Sequence, residues 1–262
     1  MNYIIFDLEF NQGESLNNQD KNTSKIKCPF EIIQIGAIKL DKNFNTVSTL
    51  DALIKPEIYT SLNSFVKEIT RITMDSLNNA RSFKEVYKDF LKFITEDRSI
   101  LCVWGMADMK ELLRNISYHE FNTLSLPREY INIQRYASKY FNCPKGINIG
   151  LQKAVELLNI PLRERFHNAV SDAYYTAEVF KKIHNEHIKP KIYNWDNQSR
   201  SSRHGNIKQK IDMDGLLKQF EKMFNREMNE DEKSIIKLAY IMGKTNQFKV
   251  EVSTNPDAST LT

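Results

Sequence analysis

The stretch Met1 to Phe10 constrains this chain more than any other. Tyr3, Ile4, Ile5, Phe6 and Leu8 form an apolar run suited to a buried strand, yet Asp7 and Glu9 interrupt it two positions apart. Side chains at i and i+2 share one face of a strand. Two carboxylates on one face of a buried strand repel each other and lose hydration, so the pattern calls for a compensating cation. A hard divalent metal held by oxygens meets that need. The alternative is that Asp7 and Glu9 close the strand and point into solvent.

With 262 residues the chain can hold one sizeable core plus an appendage, or two small domains. A hydrophobic fraction of 41% and a charged fraction of 27% are those of a soluble globular protein. No uninterrupted apolar stretch approaches a membrane span, and acids enter the first apolar run almost at once, so neither a membrane partner nor a secretory signal is expected. Cys28, Cys102 and Cys143 are odd in number and lack C-x-x-C spacing. That argues against a disulfide framework and a zinc site, and it fits a reducing cytoplasm. A formal net charge of +4 is too mild to argue for nucleic acid by itself.

Gly13 to Cys28 is polar and aperiodic and reads as a long surface loop. Phe30 to Leu40 alternates apolar and polar residues as a second strand, and Thr46 to Ile54 supplies a third after a turn at Asp41 to Asn45, which together suggest an antiparallel meander. From Ser61 the period changes to that of helices, with short ones at Leu62 to Glu68 and Asp75 to Asn79. A longer helix runs from Phe83 to Ile94, with Ser82 and Glu85 as its capping box. Ser99 to Trp104 reads as a fourth strand, followed by a helix from Asp108 to Ile116; Ile131 and Ile133 read as the fifth strand. Helical stretches near Tyr136 to Tyr140, Leu151 to Leu158 and Ala169 to His184 complete the pattern. Three antiparallel strands followed by alternating helices and strands predict an α/β fold, a mixed five-stranded sheet flanked by helices and compatible with a ribonuclease-H-like core over residues 1–190.

Past His187 the composition shifts. Lys181 to Lys210 carries eight basic residues against Glu186 and Asp196, a local net charge of +6. Residues 191–210 read as a solvated basic linker, with a phosphate-backbone patch as the alternative. Met213, Leu216, Leu217, Phe220, Met223 and Phe224 fall on one helical stripe, and Asn229 with Glu232 reads as the capping box of a second helix through Met242. Two helices cannot bury both stripes between themselves, so this hairpin, 211–250, is expected to dock on the core, on a second copy or on a protein partner. Residues 251–262 read as a disordered tail.

Three further residues join Asp7 and Glu9. Asp108 follows the fourth strand at the start of a helix, where capping is its plain structural role. His167 precedes the last core helix and Asp172 lies inside it, five positions on. Together, Asp7-Leu8-Glu9, Trp104-Gly105-Met106-Ala107-Asp108 and His167-Asn168-Ala169-Val170-Ser171-Asp172 resemble the motifs of the DEDD exonuclease superfamily. The histidine five residues before the final acid identifies the DEDDh branch, since the tyrosine branch has Tyr where this chain has Asn168. Phe65 to Thr73 resembles the segment lining the 3′-end pocket of RNA-trimming members and their bacterial sporulation-inhibitor-like relatives, which commonly carry Gly where Arg71 stands.

The resemblance implies a two-metal-ion 3′-5′ exonuclease that hydrolyses single-stranded RNA or DNA from a free 3′ end to 5′-mononucleotides. RNA is the expected substrate. By the same resemblance Asp7 bridges two Mg²⁺ or Mn²⁺ ions, Glu9 and Asp172 complete the nucleophile-side ion, Asp108 holds the second ion mainly through water, and His167 deprotonates the attacking water. Phe10 is a candidate for stacking on the terminal base and Ile72 for lining the 3′-end pocket, while core packing is the stronger reading of Trp104. Two other readings differ in class. One is a DNA exonuclease of proofreading type; the other is a nucleic-acid-binding adaptor whose terminal hairpin recruits a partner.

Overall fold

The computed structural model describes residues 1–12, 28–144, 146–195, 213–233 and 235–236. Its centre is a six-stranded sheet in the order β3-β2-β1-β4-β5-β6, built from β1 (Asn2–Asn11), β2 (Glu31–Leu40), β3 (Thr46–Leu53), β4 (Ser99–Val103), β5 (Glu129–Asn132) and β6 (Lys191–Ile192). β1, β2 and β3 form the expected antiparallel meander. β4 pairs parallel to β1 and β5 parallel to β4, so each arrives by a crossover that contains helices. The helices are α1 (Ser64–Thr70), α2 (Met74–Asn78), α3 (Phe83–Thr95), α4 (Ala107–Tyr118), α5 (Ile133–Tyr140), α6 (Leu151–Leu157) and α7 (Ala169–Ile183).

Alternation along β1 divides the core between two faces. Ile4, Phe6 and Leu8 pack with Phe83, Val86 and Phe90 of α3 and with Met109 and Leu112 of α4. Ile5 packs on the other side with residues of α5, α6 and α7, including Ala137, Val155, Ala173 and Phe180. A third, smaller cluster joins Ile33 to Leu62, Val66, Ile72 and Leu77 around α1 and α2. The predicted capping box of α3 is present: Ser82 Oγ accepts from the Glu85 amide at 3.4 Å, and the Ser82 amide donates to Glu85 Oε2 at 3.0 Å.

Two expectations about the sheet need correction. The sheet has six strands instead of five, because Lys191–Ile192, inside the segment read as linker, pairs antiparallel with Glu129–Tyr130. The chain then stays on the core: Trp195 is buried in the α3–α4 cluster and its Nε1 donates to the Pro127 carbonyl at 3.1 Å. A two-residue strand with both side chains exposed has no periodicity to read. Second, Ile133 opens α5 instead of ending β5, since the Asn132 side chain accepts from the Arg135 amide at 3.1 Å and caps the helix there. β2 forms as the second strand, and all ten of its residues are buried. Its polar members are satisfied inside the protein. Glu31 accepts from the amides of Glu57, Ile58 and Tyr59, Gln34 donates to Asp51 Oδ1 at 2.8 Å, and Lys39 pairs with Glu96 at 3.0 Å.

The chain divides into two units, Met1–Ser201 and Ser202–Thr262. In the second, α8 (Met213–Phe224) forms as the stripe predicts, with Leu217 buried and Met223 and Phe224 exposed. The Asn229–Glu232 capping box is present at 2.9 and 3.0 Å, ahead of helical residues 230–233 and 235–236. The expectations for the loop at 13–27, the linker from 196 to 210, the rest of the second hairpin helix and the tail at 251–262 lie outside the described residues.

Gly36 is the tightest point of the core. It pairs with Asp7 across the β1–β2 ladder, and a Cβ placed on it would come within 2.1 Å of the backbone of Ala169 and Val170 at the start of α7. Only a residue without a side chain lets α7 sit this close to β2. Gly36→Ala is therefore expected to lower stability by at least about 2 kcal/mol, because rigid backbone has to move away. Urea unfolding checks this, and a change below about 0.5 kcal/mol would show that α7 reseats freely.

Candidate active site

β1 carries Asp7 and Glu9 to the face that α7 covers, the face of Ile5. The ladder with β2 shifts register between Glu9 and Phe10, so regular pairing is interrupted directly after the second acid. Such bulges re-aim side chains at strand ends. α7 supplies Asp172 from its first turn. Its start is held in three ways: Asn168 caps the helix by accepting from the Ser171 amide at 3.3 Å, the Ala169 amide donates to Gln34 Oε1 at 3.2 Å, and Gly36 permits the close approach. Gln34 faces Glu9 in the β1–β2 register, so one side chain links the strand of the first two acids to the helix of the last.

One carboxylate oxygen from each of Asp7, Glu9 and Asp172 lies within 4.8 Å of the other two. Asp108, at the start of α4, is buried and stands outside that set, yet its charge acts on Asp7, Glu9 and Asp172. Its plain capping role is absent from the structure's own cap position, which is Met106 without a side-chain bond. Instead the amides of Asp108 itself and of Leu8 donate to its carboxylate.

Burial is the main force on all four acids, and repulsion between carboxylates adds to it at Asp7, Glu9 and Asp108. Burial pushes Asp7 well above the ordinary carboxylate range, reinforced by Asp108, Asp172 and Glu9. Burial likewise raises Glu9 to about 8, with Asp172 and Asp108 adding to it. Asp108 rises to about 7 by burial, against the pull of its two amide donors. Asp172 rises to about 6 by burial, opposed by the His167 amide, which donates to Oδ2 at 3.1 Å, and by the His167 charge.

A divalent cation fits this arrangement. Asp172, one of the three converging carboxylates, has its Oδ1 buried without a hydrogen-bond partner, an acceptor left open. The donor set is all oxygen, the preference of Mg²⁺ and Mn²⁺.

The remaining residues singled out in the sequence fall in different places. His167 is exposed at the end of the loop before α7, in a left-handed conformation with φ of 64° that turns the chain into the Asn168 cap. Phe10 is partly buried against the α3–α4 cluster and meets Phe30 edge-on at 6.3 Å. Ile72 is buried in the third cluster with Ile33, Leu62 and Val66, so its side chain supplies packing and not an open contact surface. Gln34, Gly36 and Asn11 were missed as positioning residues. Asn11, wholly buried at the end of β1, donates to the Ser61 carbonyl at 2.9 Å and accepts from the Asn63 amide at 3.0 Å, tying α1 to the site's strand. An isolated Gly inside a strand signals close backbone approach and was the one available cue.

The raised carboxyls make a pH prediction. In metal-free protein they hold protons to higher pH than in the unfolded chain, where carboxyls titrate near about pH 4. Between there and about 8 the folded state binds more protons, so stability falls as pH rises. The melting temperature of chelator-treated protein is expected to drop across that window, less so in Asp7→Asn, and Mg²⁺ is expected to restore it at the alkaline end. Calorimetry with and without metal checks this; a melting temperature that climbs across the window would contradict the repulsion.

Comparison with known proteins agrees with this geometry. The family model described as Exonuclease (RNase_T) matches residues 4–180, which contain all five motif residues. The chain is 35% identical over 154 residues to the PolC-type DNA polymerase III of Thermotoga maritima, covering 58% of this chain and 10% of that one. It is 25% identical over 159 residues to the human 3′-5′ exoribonuclease 1, covering 57% of this chain and 45% of that one. It thus spans less than half the length of these relatives. Among solved structures, the nuclease domain of 3′hExo, a DEDDh family member, superposes with a TM-score of 0.61 at 21% identity, over 74% of this chain and 96% of that one. Cell-death related nuclease 4 superposes with a TM-score of 0.60 at 20% identity, over 73% and 66%. With its acids converging on β1 and α7 and its histidine five residues before the last of them, the chain belongs to the exonuclease family.

Proposed function

We propose that this protein is a metal-dependent 3′-5′ exonuclease that removes 5′-mononucleotides stepwise from single-stranded nucleic acid, RNA in preference to DNA. The observation that carries the reading is the convergence of Asp7, Glu9 and Asp172, the last of which has a buried carboxylate oxygen without a hydrogen-bond partner. Two Mg²⁺ or Mn²⁺ ions, when bound, supply an activated water and offset charge on the phosphate and the leaving 3′ oxygen. Asp7, Glu9 and Asp172 hold the first, and Asp108, standing off from the three, holds the second mainly through water. His167 takes the proton of the attacking water from its exposed position beside Asp172. Phe10 retains a partly exposed ring next to Glu9, which suits stacking on a terminal base. The three unpaired cysteines accord with a reducing, cytoplasmic setting.

Support for RNA comes from the α1–α2 segment, Phe65 to Thr73, and from the match to an exoribonuclease. A second reading, a DNA exonuclease, rests on the higher identity to a PolC-type DNA polymerase. Matched single-stranded RNA and DNA labelled at the 5′ end separate the two: RNA is expected to shorten faster, and equal or faster loss of DNA would select the second reading. Asp7→Asn is expected to abolish turnover on both. His167→Ala is expected to lose about 10² to 10⁴ in turnover while keeping metal affinity, which titration calorimetry measures. A collapse of metal affinity would instead make His167 a ligand.

A further inference from the structure

We propose that Arg71 and Arg165 clamp a backbone phosphate of the substrate strand, in a cleft that opens beside His167 and seats one nucleotide unit. The inference deepens the nuclease reading and rests on it. The cleft measures about 550 Å³ and takes most of its lining from two segments, Ile69 to Arg71 at the α1–α2 junction and Glu164 to Asn168 before α7, with Asp51 of β3 and the first turn of α7 beside them. That volume falls within the roughly 300 to 1,000 Å³ of small-ligand sites. The two segments are held independently. Asn11 and Asn63 fix the start of α1, while Gln34 and Gly36 fix the start of α7.

Arg71 is the unusual residue. It caps α1 in the left-handed conformation, φ 61° and ψ 12°, with its amide donating to the Lys67 carbonyl at 2.9 Å. Glycine adopts that conformation without penalty and arginine does not. Nothing inside the protein offsets the cost, since the Arg71 side chain is exposed and has no ion-pair partner among the described residues. Arg165 is likewise exposed and unpaired among them. Two free guanidiniums lining one cleft are suited to a phosphate, which they can grip through paired N–H donors. The acids in the same lining favour a nucleotide over an inorganic anion. Asp51 has one oxygen engaged by Gln34, and Glu164 offers an exposed carboxylate, so acceptors for hydroxyl and amino groups stand beside the donors for phosphate. The cleft also adjoins the catalytic carboxylates through one residue, since His167 lines it and donates its amide to Asp172.

The test is fluorescence anisotropy with a 5′-labelled single-stranded RNA whose last linkages are phosphorothioate, so that binding is read without turnover. Arg71→Gly keeps the backbone conformation and is expected to fold at least as well as the parent. Arg71→Gly and Arg165→Ala are each expected to weaken binding roughly tenfold at low salt. Each is also expected to lower the slope of log affinity against log salt by about 0.7. Arg71→Lys is expected to recover part of the loss, and Lys42→Ala, exposed at the β2–β3 turn outside the cleft, to stay within about twofold. Unchanged affinity and unchanged salt slope in both arginine variants would overturn the clamp. Absence of turnover on unmodified RNA, together with the binding loss, would count against the nuclease reading alone and leave the clamp supported.

Discussion

Four carboxylates at the end of β1 repel one another in a site that water reaches poorly, and the rest of the structure is arranged to hold them together. Asp7, Glu9, Asp108 and Asp172 come from a strand and two helices on opposite faces of the sheet, and every one is pushed toward its protonated form. Left to themselves, side chains in this position would turn outward or draw the helices apart. A divalent cation reverses the sign of the energy, turning mutual repulsion into shared attraction. The site is therefore a store of unfavourable electrostatics that metal binding relieves, and its geometry depends on the scaffold's resistance to that repulsion.

The resistance is mechanical. α7 is pressed onto β2 at Gly36, where no side chain separates helix from strand, and Gln34 ties the helix's first amide to the sheet. β2 can bear this load because it is buried along its whole length, with its glutamate, glutamine and lysine satisfied internally. Asn11 and Asn63 play the same part on the other side of the site, fixing α1 against the end of β1. Catalytic groups on rigid elements with supporting hydrogen bonds keep their geometry more closely than groups on loops. His167 lies outside this frame: it sits in a left-handed turn before α7, with its side chain exposed to solvent.

Much of this was legible from residues alone. Asp7 and Glu9 stand out because two carboxylates at i and i+2 in an apolar run share one face of the strand, where a cation or solvent has to offset their repulsion. The helix of Asp172 and the capping box at Ser82 and Glu85 follow from periodicity and local hydrogen bonding, which act over a few residues. β6 was not legible, since two exposed residues carry no pattern and pair only because β5 leaves an edge beside them. Ile133 was misplaced because an apolar residue after a strand looks the same whether the strand continues or a helix begins. The asparagine cap at Asn132 decides it. Ile72 shows the same limit, as its burial depends on α1 and α2 folding back against Ile33.

The sequence by itself determined which acids and which histidine make up the motif and on which elements they ride, because motif spacing and periodicity are local properties of the chain. Only the tertiary structure decided which of those side chains meet. The distance between Asp7 and Asp172 is set by a glycine in β2 that allows α7 to close down. Asp108 is brought to the amide of Leu8, a residue about a hundred positions earlier in the chain, only by the packing of α4 on the sheet. The surroundings of Arg71 are set by a loop that reaches it from the far end of the domain. Contacts between segments distant in sequence arise from packing the two faces of the sheet, and no window of neighbouring residues contains them.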